Sequence, residues 1–260
     1  KAPIRGTMQN PYLEAFWKWW PDMYKDLRTF RMTGGEPLID RNTYKVLEYV
    51  KDNPKPNLEL SVTTNGVPDP GDDNVLFRKF TQQVKDITDS CNLEHFMLFI
   101  SLDSVGEKAE YIRNGLDFEK LKKNIEYFMS EVTDRHNALS VTSHREFLEW
   151  ILDLRKKYSI ERQLIWFDTP YLHDPKWQSI KNLTPEFDKY LEDDIQFMKD
   201  NRETRETRFH GFKDYEVDRL ERNLEWGREK FEPQQSMLQK VNFYKFFREH
   251  DRRRGTDFCK

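Results

Sequence analysis

The segment Arg31-Met-Thr-Gly-Gly-Glu-Pro-Leu-Ile-Asp40 gathers residue types that can do chemistry. A strand-like run, Leu27–Met32, ends in two glycines, an acid and a proline, and a helix-like segment, Thr43–Lys51, follows at once. Parallel α/β sheets open their ligand sites at such junctions, at the C-terminal ends of strands. Gly34 and Gly35 carry no Cβ, so their backbone amides and carbonyls can come close to a bound molecule. Glu36 offers an acceptor to a cationic ligand group, and Pro37 fixes φ and stiffens the turn. A tight turn with a solvated glutamate would use the same residues.

The elements that must position this loop are legible on both sides of it. Leu58–Gly66 reads as a second strand, with Leu58, Leu60 and Val62 alternating with polar residues before Asn-Gly stops the run. A third strand, His95–Asp103, is nearly continuously apolar through Phe96–Ile100, which suits a parallel sheet covered on both faces. A fourth, Arg162–Phe167, ends in Asp168-Thr-Pro-Tyr171. Helix-period segments lie between them at Val75–Thr88, Phe118–Ser130 and Arg145–Tyr158, so right-handed βαβ units and a parallel sheet or barrel are expected. His136–Ser143 looks short for the strand expected there, which leaves room for missing residues near Asn137–Ser143.

The tetrapeptide Gly34-Gly35-Glu36-Pro37 resembles the signature of radical S-adenosylmethionine (SAM) enzymes, in which this loop holds the SAM amino group. The resemblance runs from about Tyr12 to Tyr171 and is nearest to members with SPASM or shorter twitch extensions. It implies that Thr64 and Asn65, of Thr-Asn-Gly, line the floor of the site, and that Ser101 and Asp103, of Ser-Leu-Asp, reach the ribose. By the same resemblance Arg113 takes the SAM carboxylate, and the loop Trp166–Leu172, with Tyr171, supplies adenine contacts. The implied fold is α/β, a partial (β/α)6 TIM-like barrel over residues 1–180 with a C-terminal α-helical, twitch-like cap over 181–260. The implied reaction is reductive cleavage of S-adenosyl-L-methionine at a [4Fe–4S] cluster. The resulting 5′-deoxyadenosyl radical takes hydrogen from an unidentified small-molecule or peptide substrate, and a flavodoxin or ferredoxin donates the electron. An acid for the ammonium, an arginine for the carboxylate and acceptors for the ribose complement this zwitterionic nucleoside.

The cluster needs cysteine thiolates, which the family places in a Cys-x3-Cys-x2-Cys loop before the Gly-Gly-Glu-Pro strand. This chain has two cysteines, Cys91 and Cys259, in no such spacing. Cys91 reads as a small buried or half-buried residue before a core strand, and Cys259 as an ordinary free thiol. The chain opens directly into a helix, Tyr12–Tyr24, so the first strand and the cluster cysteines are expected upstream of Lys1, with no metal ligands within the chain. The alternatives are a cluster-free, non-catalytic SAM-binding barrel and an ordinary metal-independent barrel enzyme. The six histidines fall in no metal-binding spacing.

Composition sets the remaining bounds. Charged residues reach 34%, yet aromatics at 14% supply enough apolar surface to argue against disorder. A net charge of −3 argues against strong nucleic-acid binding. No apolar run approaches the roughly 20 residues of a membrane span, and two cysteines without a pairing pattern suggest a reducing, cytoplasmic setting. Beyond residue 180 the chain is polar and helical. Thr184-Pro-Glu-Phe reads as a capped helix start, and Met237, Val241, Tyr244 and Phe247 form a stripe expected to pack on the barrel. A substrate contact from Trp226 or Phe212 is a lesser reading, and Arg252–Arg254 reads as a solvated end.

Overall fold

Strand follows strand in chain order: β1 (Thr29–Met32), β2 (Lys55–Thr64), β3 (Leu93–Ser101), β4 (His136–Ser140) and β5 (Leu164–Asp168) form one parallel sheet. This computed structural model describes residues 10–69, 71, 73–132, 136–140 (as backbone), 145–161, 164–169 and 174–257. The helices are α1 (Pro11–Asp26), α2 (Arg41–Asp52), α3 (Val75–Asp89), α4 (Gly106–Ile112) and α5 (Phe118–Glu131), followed by α6 (Arg145–Tyr158), α7 (Asp188–Asp200), α8 (Asp214–Arg228) and α9 (Pro233–Arg254). The segment His136–Ser140 does form a strand, paired with Met97–Ser101 on one side and Leu164–Asp168 on the other.

The sheet order corrects the expected partial (β/α)6 barrel. Among the described residues the sheet has five strands and is open, with β1 and β5 as its edges and three strands between them. Closure would require those edges to meet through tilt and stagger. The alternation of strands and helices that suggested a barrel is the same in open and closed sheets.

Because each crossover steps in the same direction and βαβ units are right-handed, α2, α3, α5 and α6 fall on one face. That face is the core. Leu58, Leu60, Val62, Phe96, Leu98, Ile165 and Phe167 are buried against it. Phe77 and Phe80 of α3 and Phe128 of α5 fill the space above, with Phe80 and Phe128 stacked at 6.1 Å. The other strand face carries Arg31, Thr63, Met97 and Phe99, all exposed or half-buried, with the Arg31 guanidinium 4.7 Å over the Phe99 ring. The apolar run of β3 is therefore not covered on both faces. α1 closes the β1 edge with aromatics, Trp20 lying edge-on to Phe30 at 4.8 Å.

The C-terminal helices join the sheet through a buried ion pair. Arg155 of α6 and Glu216 of α8 have side chains 1% and 0% exposed, and Arg155 Nη2 donates to Glu216 Oε1 at 2.5 Å. Each group also bonds to backbone. Arg155 donates to the Ile165 and Gly211 carbonyls, and Glu216 accepts from the Lys213 amide. Phe167 and Phe212 flank the guanidinium at 5.7 and 5.5 Å, and Phe212 is fully buried there as packing. The Asn223 amide of α8 also donates to the Thr169 carbonyl just after β5, at 2.7 Å.

Two expectations change in this region. Thr184 precedes a short 3-10 turn, Pro185–Phe187, and its side chain makes no cap bond. On α9, Met237, Val241 and Tyr244 face solvent, while Phe243, Phe246 and Phe247 pack on Trp177. α9 carries apolar side chains on opposite sides, so the stripe read from the sequence mixes two faces. No helix among the described residues is long and apolar enough to cross a membrane.

Removing one partner of a buried pair leaves a bare charge, which costs about 3–5 kcal/mol. Arg155→Met alone is therefore expected to lower unfolding free energy by about that amount. The double variant Arg155→Met/Glu216→Leu is expected to recover most of it, measured by urea unfolding.

Candidate functional site

At the end of β1 the chain enters the left-handed region twice, at Gly34 (φ 94°) and Gly35 (φ 57°). Only glycine visits these conformations without strain. A Cβ built on either would meet nothing within 4 Å, so the space over both residues is open. Glu36 then caps the 3-10 turn Pro37–Ile39, accepting from the Leu38 amide at 3.1 Å, with Pro37 buried at its first position.

The Glu36 carboxylate also crosses to the neighbouring strand. Oε1 accepts from Thr64 Oγ1 at 2.6 Å, and Oε2 accepts from the Asn65 amide at 2.8 Å. An ionised carboxylate offers about four lone-pair sites; three are used here, so one more donor can be taken. Thr64 and Asn65 brace this arrangement. Thr64 Oγ1 accepts from the Gly66 amide at 3.0 Å, and Asn65 Oδ1 accepts from the Val67 amide at 2.8 Å. The carbonyl of Gly66 (φ 77°) accepts from Asn124 Nδ2 at 2.9 Å, and a Cβ on Gly66 would run into Leu121 Cδ1.

Beneath the loop lies a residue that the sequence did not single out. Tyr44 of α2 is buried and its hydroxyl donates towards the Leu38 carbonyl at 2.5 Å and the Leu76 carbonyl at 3.2 Å. Burial, with Asp69 and Glu36 nearby, pushes its pKa up to about 12. A tyrosine on a helix face reads as ordinary core, and backbone acceptors leave no sequence signal.

The third strand end supplies the opposite charges. Ser101 closes β3, and Asp103 just beyond it pairs with Arg113 Nε at the end of α4. Both side chains keep a solvent-facing fraction, 42% for Asp103 and 32% for Arg113. In the same loop Ser104 is 2% exposed and its Oγ has no hydrogen-bond partner among the described residues. Neighbouring strands lie about 4.8 Å apart, so the ends of β1 and β3 stand roughly 10 Å apart. At β5, Asp168 lies 3.3 Å from Arg219 of α8, and Trp166 is half-buried on the less covered face. Tyr171 lies outside the described residues.

The structure thus brings together Gly34, Gly35, Glu36, Pro37, Thr64 and Asn65 in one hydrogen-bonded unit. It pairs Asp103 with Arg113, one and two elements further along the rim. Open space over two glycines, a carboxylate with spare acceptor capacity, an unmatched serine hydroxyl and an arginine suit a zwitterionic nucleoside such as SAM. They do not suit an iron–sulfur cluster. Cys91 is exposed, with φ 54°, where α3 returns to the start of β3, correcting its expected burial. At about 3.3 Å per residue, β3 places it roughly 30 Å from the rim. Cys259 lies outside the described residues, and no group of three or more potential metal ligands occurs among those described.

No family model matches the chain. The GTP 3′,8-cyclase of Syntrophomonas wolfei subsp. wolfei (strain DSM 2245B / Goettingen) is 30% identical over 146 residues, 54% of this chain and 40% of that protein. The match spans less than half the length of that relative. It supports a radical SAM relationship. A solved DUF72 family protein from Enterococcus faecalis V583 aligns over 84% of this chain and 96% of its own, at a TM-score of 0.34 and 10% identity. So slight a likeness carries no argument.

Tyr44→Phe removes the one hydroxyl proton shared by the Leu38 and Leu76 carbonyls and is expected to cost about 1–3 kcal/mol. Gly66→Ala adds overpacking against Leu121 to backbone strain, for a loss of about 2–4 kcal/mol. Thermal unfolding of the two variants beside the parent measures both.

Proposed function

We propose that this chain is the SAM-binding part of a radical SAM enzyme. The observation that carries the reading is the placement of Glu36 across the ends of β1 and β2, with the Asp103–Arg113 pair at the neighbouring end of β3. The Gly34 and Gly35 backbone and the remaining acceptor site of Glu36 would hold the SAM ammonium group. Arg113 would turn from Asp103 to the ligand carboxylate, for which its planar fork is suited. Asp103, once released, and Ser101 would accept from the ribose hydroxyls, and Tyr171 would lie against the adenine. Thr64, Asn65 and Pro37 keep the carboxylate and its loop in register.

Bound SAM supplies hydrogen-abstraction chemistry when a [4Fe–4S] cluster reduces it. This chain's described residues contribute no thiolate at the rim, so its part is to bind, orient and shield SAM. The proposal also includes a helical, twitch-like role for the segment beyond residue 180, a reductant such as flavodoxin or ferredoxin, and a small polar or peptide substrate. The GTP in the relative's name makes GTP a direct competitor to try in the same titrations.

Glu36→Ala and Arg113→Ala are each expected to weaken SAM binding by about 1.5–3 kcal/mol, as for hydrogen bonds to charged groups. Calorimetric titration reads the effect, and unchanged affinity in both variants removes the pose. Iron and sulfide content of the protein purified without air from its own host separates a cluster enzyme from a cluster-free SAM binder.

A further inference from the structure

The last turns of α9 reach back to the helix that carries Arg113. Tyr111 Oη donates to Asp251 Oδ1 at 2.7 Å, and Thr256 Oγ1 donates to the same oxygen at 2.7 Å. Arg254 Nη1 donates to the Tyr111 carbonyl at 3.1 Å, and the His250 ring lies 4.8 Å from the Tyr111 ring. Burial and the Asp251 carboxylate hold the Tyr111 phenol well above its ordinary pKa, so it remains a donor.

Only Ile112 separates Tyr111 from Arg113, and Arg113 is the C-terminal cap of α4. α4 has seven residues and no side-chain bond at its N-terminal cap. So short a helix has little stability of its own and takes its position from what it packs against. Two elements hold it: α5, whose Phe118 amide donates to Glu110 Oε1 at 2.9 Å, and α9, joined at the end that carries Arg113 through residues 140 positions away in the sequence.

We propose that Tyr111 and Asp251 are positioning residues for Arg113. α9 fixes the end of α4, and so fixes where the guanidinium meets the carboxylate of the ligand. The inference rests on the SAM reading above and adds a dependence on the C-terminal helix. A contact that merely docks α9 would affect every ligand of the site alike. One that acts through Arg113 affects only ligands with a carboxylate for it to hold.

The test compares SAM with 5′-methylthioadenosine, which keeps the nucleoside and sulfur but lacks the amino-acid carboxylate. Tyr111→Phe and Asp251→Ala are expected to raise the Kd for SAM about five- to tenfold, the loss of one hydrogen bond's worth of order. The Kd for 5′-methylthioadenosine stays within about twofold. Asp251→Asn, which can still accept from the phenol, restores SAM binding. Adding Tyr111→Phe to Arg113→Ala gives no further loss, because the two act in series. Equal weakening of both ligands, or unchanged SAM affinity, overturns the inference while leaving the SAM reading intact. Parent protein that binds neither ligand overturns both.

Discussion

The Glu36 carboxylate accepts from the Leu38 amide on its own loop and from Thr64 and the Asn65 amide on the next strand. One side chain therefore fixes two neighbouring strand ends relative to each other. It can do so because the glycines before it turn the chain through left-handed conformations and Pro37 starts a new turn directly after it. Tyr44 supports that turn from below. The candidate site follows from this: its floor is already hydrogen-bonded before anything binds, so a ligand meets a formed surface, and little ordering entropy remains to be lost.

Much of this was visible in the residues. The Gly34-Gly35-Glu36-Pro37 turn was legible because each residue has a conformational restriction or freedom of its own. α6 begins and ends where its apolar period predicts, and the strands fall within a few residues of their runs. Sheet closure was not legible, since a right-handed βαβ unit has the same pattern whether the sheet stays open or curls. Arg155 was not legible either. It sits beside Lys156 and Lys157 as though on a solvated helix face, and burial of a cation leaves no periodic trace. α9 misled for a different reason. With aromatic and aliphatic side chains on opposite sides, any helical spacing finds a stripe, and only the position of Trp177 selects the buried one.

Charge is placed in this molecule according to two opposite rules. At the rim, Asp103 and Arg113 are paired but partly solvated, so the pair can be opened at modest cost and either member offered to a ligand. Between α6 and α8, Arg155 and Glu216 are paired out of reach of solvent, and both also bond to backbone: Arg155 to the Ile165 and Gly211 carbonyls, Glu216 to the Lys213 amide. An arginine and a carboxylate thus give an adaptable edge in one place and a fixed joint in the other. Exposure decides which, through the desolvation that each pair has or has not undergone.

That fixed joint bears on how such a chain can change over generations. A recombination event with its breakpoint anywhere between Arg155 and Glu216 would bring together an α6 and an α8 from different parents. Unless both parents carried the same pair, the hybrid would bury a guanidinium or a carboxylate with no counter-ion. Insertions in the exposed turn Thr204–Arg208 would fall outside the buried pair itself. The C-terminal helices are therefore expected to be inherited together with α6 and β5, and to vary mainly along the outward side of α9, where Met237, Val241 and Tyr244 meet solvent.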